Sequence, residues 1–567
     1  MKKNLLLTLA LCLLAQWSVA QAPKWVEKAK RAVFSVVTYD ESDKILNTGN
    51  GFFVTEDGMA LSDYSLFKGA QRAVVINSEG EQMPVEVIMG ANDMYDVVKF
   101  RVAISGKKVP ALVVSPTAPT VGTSVYLLPY STQKDRSYTT GQVKEESKVD
   151  GQYHYYTLDM HLKDKMVSCP VMTADGQVFG LAQKSSGKDT ATICYAVGAD
   201  YVMAQKINPL SFNDHALSSI GIKKALPDTE EQALVYLYMA SSQQTPEKYA
   251  ELLNDFIAQY PNSADGYFRR ANSQMYLSKE ISSMDKAAAD INKALEVAQK
   301  KDDAYFNRAK LIYNYQLTKP ETTYKDWTYD KALDEVRKAI AIEELPVYVQ
   351  LEGDIQFAKK DYAAALASYE KVNKTNIVSP ATFFSAAKTK ELMEAAPEEV
   401  LALMDSCIAH CLQPYTEDVA PYLLERAQAR MNAGQGRNAM LDYDEYYKAV
   451  RGNVNDVFYY YREQAAFQAK QFQRALDDMA KAIELNPKEL TYRSELAAVN
   501  IRVGRNEEAI KVLKEALAID PKYAEAYRLM GVAQLQLKQN KEACASFAKA
   551  KELGDPNVDA LIEKHCK

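Results

Sequence analysis

The chain has 567 residues, 47% hydrophobic and 25% charged, which excludes a collagen-like or wholly disordered polymer. Lys plus Arg number 68 against 74 Asp plus Glu, a net charge of −6. With no long Lys/Arg run, the basic stripe of a nucleic-acid binder is missing and no nucleic-acid partner is expected.

The first element reads as an export leader over residues 1–20. Lys2 and Lys3 precede the apolar run Leu5–Ala15, and Ser18-Val19-Ala20 supplies small residues for cleavage. The run is short for a membrane span and no later stretch is apolar for about 20 residues, so no transmembrane segment is expected. Cys12 suits lipidation poorly, because Leu11 stands where a small residue is wanted. The expected location is therefore periplasmic, outer-membrane-associated or secreted. Beyond the leader lie Cys169, Cys194, Cys407, Cys411, Cys544 and Cys566. None has zinc-ligand spacing, so neither metal nor cofactor is implied. Cys407 and Cys411 read as buried small hydrophobes rather than a strained local bridge.

Residues 24–207 are punctuated β-rich runs: Ala32–Tyr39, Gly51–Val54, Ala73–Asn77, Val85–Met89, Val97–Val102, Ser124–Leu128, Val178–Gln183 and Thr192–Val197. Short strands with Gly, Asp and Asn between them predict a sandwich or barrel. Five motifs then follow in order: Gly49-Asn50-Gly51-Phe52-Phe53-Val54, Glu56-Asp57-Gly58-Met59-Ala60-Leu61-Ser62, Asp93-Met94-Tyr95-Asp96-Val97-Val98-Lys99, Ser168-Cys169-Pro170-Val171 with Asp175-Gly176-Gln177-Val178-Phe179-Gly180, and Ile193-Cys194-Tyr195-Ala196-Val197. Together they resemble the trypsin-like serine proteases of the Deg/HtrA type, which implies two β-barrels side by side.

That resemblance assigns positions to the triad, which needs a hydroxyl nucleophile, an imidazole base and an orienting carboxylate. Ser65 stands at the histidine position, Asp96 at the aspartate and Val167 at the nucleophile. Lys165 takes the place of the first oxyanion-loop glycine. No histidine occurs between Gln21 and Tyr153, so no shift of alignment restores the base. The domain is expected to be a pseudoprotease. The alternative is an active serine or cysteine endopeptidase using Ser168 or Cys169, with His154 or His161 upstream. The resemblance also places the Cys169 loop beside the Cys194 strand, making a disulfide between them a candidate.

Residues 208–228 form the connection, marked by Asn208-Pro209 and Pro227-Asp228. Beyond it the chain repeats. Ala475, Ala509 and Ala543 fall 34 residues apart, as do Ala482, Ala516 and Ala550. Gly353 to Ala365, Ala427 to Ala439, Ala497 to Ala509 and Gly531 to Ala543 are each 12 apart. Small residues at that spacing let two antiparallel helices cross at close range. Glu463 to Ala475 keeps the spacing and loses the small residue. The pattern resembles the tetratricopeptide repeat (TPR), implying about eight helix pairs and a C-terminal capping helix over 229–567. Cys544 in the last repeat and Cys566 in the cap are disulfide candidates.

Such solenoids bind along a concave face. The family's groove positions fall on Gln464, Phe467, Ala498, Ile501, Arg528, Val532 and Leu535. The expected architecture is multidomain, an all-β trypsin-like double barrel followed by an all-α TPR solenoid. The expected function is an exported protein-protein interaction scaffold in envelope protein handling or assembly, with a protein or peptide partner in the groove and a second one at the barrel cleft.

Overall fold

The computed structural model describes residues 23–106, 108–132, 137–184, 193–277, 281–319 and 324–566. The leader and Cys12 lie outside these. The chain divides into two compact units, Met1–Val297 and Ala298–Lys567.

The first unit holds twelve strands: β1 (Val33–Tyr39), β2 (Ile45–Phe53), β3 (Met59–Ser62), β4 (Arg72–Ile76), β5 (Gln82–Asn92), β6 (Val97–Val102), β7 (Ser124–Leu127), β8 (Thr139–Val149), β9 (Tyr153–Asp159), β10 (Pro170–Met172), β11 (Val178–Gln183) and β12 (Ile193–Gly198). They close into two barrels, β1-β2-β3-β6-β5-β4 and β10-β11-β12-β9-β8-β7. Closure removes free sheet edges. Aromatic side chains fill the first barrel: Phe34 lies 4.6 Å from Phe53 and 6.3 Å from Phe100, ring to ring. Gly51 makes room for this core, because a Cβ there would sit 2.5 Å from the Phe34 ring and 2.7 Å from the Leu61 carbonyl oxygen. Strands β3, β8, β9 and β10 were not among the predicted runs. β8 buries only Val143 and Val149 of its eleven residues, so it lacks an alternating apolar signal.

Residues 208–228 are ordered and docked on the first barrel. Asn208 caps a 3-10 turn (Pro209–Asn213) and Asp214 caps a short helix (His215–Ser218). The Gly221 N–H then donates to the Ala70 carbonyl at 2.7 Å, and the Ile88 N–H to the Lys223 carbonyl at 2.8 Å.

Nine helix pairs follow among the described residues, two in the first unit and seven in the second. The second unit runs from Lys301–Thr318 with Tyr329–Ile342 to Ala524–Gln536 with Asn540–Glu552, and ends in a capping helix, Asp559–His565. Residues 380–412, where the repeat pattern is faint in sequence, hold a regular pair, Pro380–Leu392 and Pro397–Ala409. The helix crossings are as tight as the small residues imply. A Cβ on Gly531 would meet the Phe547 ring at 2.5 Å, and one on Gly353 the Tyr369 ring at 2.8 Å. Ala427, Ala439, Ala475, Ala509 and Ala543 are fully buried.

The capping helix packs Leu561 and Ile562 against Ala543, Phe547 and Ala550, and Cys544 is disulfide-bonded to Cys566. The Cys169–Cys194 pairing is corrected by the structure: both are buried free thiols. Each packs in the second barrel's core, where burial alone accounts for a small apolar side chain. Cys407 and Cys411 are also free.

Candidate functional site

The triad positions meet between the two barrels. Ser65 rides on the single-turn helix Tyr64–Phe67 just after β3, and Asp96 sits on the turn joining β5 to β6. Asp96 has φ +48°, a left-handed turn conformation that Asp tolerates. Its two carboxylate oxygens are both taken by Ser65: the N–H donates to Oδ1 at 2.6 Å and the hydroxyl to Oδ2 at 3.0 Å. The structure thus unites Ser65 with Asp96.

The nucleophile loop follows the 3-10 turn Asp164–Met166, which contains Lys165. Its N–H groups are turned inward. Met166 donates to the Lys163 carbonyl at 2.8 Å and Val167 to the Asp164 carbonyl at 3.4 Å. A backbone donor so engaged is not presented to a developing oxyanion. From β2, the Asn50 side-chain amide donates to the Val167 carbonyl at 2.8 Å and the Lys165 carbonyl at 3.1 Å.

Ser168 is buried with φ +64°, at a place where the resembling motif has glycine. Its hydroxyl donates to Asp63 Oδ2 at 2.5 Å, and its N–H to the Ala182 carbonyl at 2.8 Å. Burial, then the Asp96 charge, pushes the Asp63 carboxyl well above the ordinary range, while the Ser168 bond opposes the shift. A hydroxyl that donates to a carboxyl in a dry site is a structural link between barrels. The neighbouring Cys169 thiol is pushed up to about 12 by burial, far from the depressed range of a nucleophilic cysteine. His154 stacks on Tyr156 and faces Glu146 at 3.3 Å and Asp200 at 3.6 Å. His161 is exposed, between β9 and the 3-10 turn.

The fifth protease-like motif, Ile193–Val197, lies in β12, an interior strand of its barrel. Leu181, Ala182 and Gln183 of β11 pair with Val197, Ala196 and Tyr195 on one side; Tyr155, Tyr156 and Thr157 of β9 pair with the same three residues on the other.

In the second unit, Gln464, Phe467 and Ala498 come together on the wall of one groove of about 530 Å³, with Glu463, Glu495, Phe472 and Arg502. Phe467 is exposed. Ile501 is not on this wall; it is buried against Ala497, Ala509 and Leu513. Arg528 is committed to Asp555 at 3.0 Å and Glu525 at 2.6 Å. Val532 and Leu535 are half-buried against the core of the last repeat.

Three features passed unread in the sequence. Asn50 lies inside the first quoted protease-like motif and Asp63 directly follows the second, at positions given no role. The third is a recurrent ion pair. Arg426 holds Asp442 at 2.7 Å and Arg462 holds Asp478 at 2.6 Å, the carboxylates buried between the two helices of a repeat. Its signal was there: an arginine directly before the small-residue position and an aspartate 16 residues later.

Comparison with known proteins agrees with this geometry. A family model described as "Trypsin-like peptidase domain" matches residues 49–181, and one described as "TPR repeat" matches 502–538. A trypsin-like peptidase domain is followed by tetratricopeptide repeats. A third model, "Anaphase-promoting complex, cyclosome, subunit 3", matches residues 432–516 within the TPR region. A small glutamine-rich TPR protein of Mycosarcoma maydis is 36% identical over 96 residues, 17% of this chain and 27% of its own. A TPR repeat-containing protein of Methanocaldococcus jannaschii is 21% identical over 238 residues, 40% and 38% of the two chains. An HtrA-type protease solved with a tripeptide has 15% identity and a TM-score of 0.28, over 34% of this chain and 62% of that one. The chain therefore spans well under half the length of these two TPR relatives.

Proposed function

We propose that the protein is an exported interaction scaffold: a trypsin-like domain without peptidase activity, carrying TPR helices that bind a protein partner in the cell envelope. The observation that supports this most is the Ser65–Asp96 pair, in which the carboxylate that would orient an imidazole is saturated by a serine. A serine hydroxyl does not accept a proton near neutral pH, and losing the base removes orders of magnitude in rate. Ser168 and Cys169 offer no substitute, one hydrogen-bonded to a buried carboxyl and the other held as a thiol. Binding therefore falls to the helices. The leader-like segment at residues 1–20 supports export.

The test is paired. The purified chain is exposed to a fluorophosphonate probe, a thiol-directed acyl probe and casein, with Ser168→Ala and Cys169→Ala as controls. In parallel, a photoreactive residue replaces Gln464 in intact envelopes. Absence of labelling and hydrolysis, with a defined crosslinked protein, is the expected result. Hydrolysis abolished by either control substitution sinks the reading and restores the endopeptidase alternative.

A further inference from the structure

Repeats elsewhere in the second unit place Gly353, Ala427, Ala497 or Gly531 where their helices cross; the repeat Asp456–Leu485 places Glu463 there. Glu463 is 1% exposed and its Oε2 has no hydrogen-bond partner. A buried carboxyl oxygen left without a partner costs about 1–3 kcal/mol or more, and alanine would pack the crossing without that cost.

The groups facing it are known on every side. From the second helix of the repeat comes Asp478, already bound by Arg462 at 2.6 Å. From the next repeat comes Glu495, and from one turn earlier on its own helix Tyr460. Arg474 is committed to Asp444. Among the described residues none forms an ion pair with Glu463; burial, then Glu495, then Asp478, push its carboxyl up to about 8. Burial and Glu525 raise Glu495 as well. Both carboxyls line the groove that also carries Phe467, Phe472 and Met431, with Lys470 and Arg502 among its lining.

We infer that this groove receives a single lysine or arginine side chain from an extended segment of a partner protein, its charged head between Glu463 and Glu495 and its stem along Phe467. The inference rests on the reading of the groove as the partner-binding surface. A cation supplies the charge-assisted hydrogen bonds the orphaned oxygen lacks, an aliphatic stem suits an aromatic wall, and the ring face favours a nearby cation. Lys470 and Arg502 oppose a second basic residue, so one cation is taken. Its arrival ionises Glu463 and releases a proton.

The experiment uses the full chain at pH 7.4 and three fluorescein-labelled peptide pools. The flanking positions vary among Ala, Leu, Ser and Tyr, and the central residue is Lys, norleucine or Glu. The Lys pool is expected to bind at least about tenfold more tightly than either other pool. Glu463→Gln, and separately Glu495→Gln, bring that preference to within about threefold. Phe467→Ala weakens every pool. Calorimetry of the Lys pool in two buffers of different ionisation enthalpy reads release of most of a proton, absent in Glu463→Gln. Equal binding of the Lys and norleucine pools, still lost in Phe467→Ala, overturns the cation while leaving the groove as a binding surface. Preference for the Glu pool overturns the cation likewise. No binding by any pool up to about 1 mM overturns both.

Discussion

The cleft between the barrels and the groove among the helices each hold a buried carboxyl with one unpartnered oxygen, Asp63 Oδ1 and Glu463 Oε2, and differ in what surrounds it. In the cleft, Asp96 gives both oxygens to Ser65, and Asp63 takes the Ser168 hydroxyl. In the groove, Glu463 keeps an oxygen that nothing in the fold addresses. The Asp63 carboxyl takes a donor from the other barrel and ties the two together, whereas the Glu463 carboxyl lines an open groove. An acceptor left over beside an exposed phenyl ring is a cost the fold alone does not recover, and a ligand can. The contrast recurs at shorter range. Asp478 and Glu463 lie on the two helices of one repeat; the first has its arginine and the second does not.

The largest expected effect breaks that neighbouring pair. Arg462→Met leaves Asp478 buried and alone, and should cost about 3–5 kcal/mol in urea unfolding of the helical unit. A loss below about 1 kcal/mol would mean that the buried pair and the orphan differ little in energy.

Next comes Glu463→Gln, which sharpens the contrast through pH. The folded carboxyl titrates near 8 and the unfolded one near its ordinary value of about 4.3. The folded state therefore holds a proton that the unfolded state has lost, and wild-type stability falls as pH rises between those values. Glu463→Gln should match wild type at pH 4 and exceed it by on the order of 2–4 kcal/mol at pH 9. A difference independent of pH would contradict the assignment of the raised carboxyl to Glu463.

A smaller effect is expected in the cleft. Ser168→Ala deletes the donor to Asp63 and should cost about 1–3 kcal/mol in thermal unfolding of the barrels. Ser168→Gly loses the same bond but relieves a left-handed backbone, and should be destabilised less by about 1 kcal/mol. Equal losses would remove backbone strain from the account of this loop.

The smallest expected effect is none. Ser65→His combined with Val167→Ser places an imidazole and a hydroxyl at the positions that the resemblance matches to base and nucleophile, yet the double variant should show no hydrolysis. The Val167 N–H stays engaged with Asp164, and Asn50 still holds the loop by two carbonyls. Casein turnover by the double variant would place the whole defect in the side chains.

The helices were legible in unusual detail because their signal is local and periodic. A 34-residue beat of alanines says where two backbones touch, and Gly531 against Phe547 is that contact. Five of the first barrel's six strands, all but β3, were legible for the same reason. β8 was not, because a strand that buries two of eleven residues has no apolar alternation to read. Within the groove, Phe467 and Ile501 both matched family positions, but only the side chain's surroundings separate an exposed ring from a core residue.

The sequence by itself determined the order of the two architectures and the absence of any histidine between Gln21 and Tyr153. Both are properties of residue type and spacing along the chain. Only the tertiary structure decided which polar atoms are quenched and which are left open. Asn50 and Val167 are 117 positions apart and Ser168 and Asp63 are 105 apart, while Glu463 is defined by a partner that is missing. Hydrogen bonding and burial depend on what distant segments bring within about 3 Å, and no pattern along one strand or one helix carries that information.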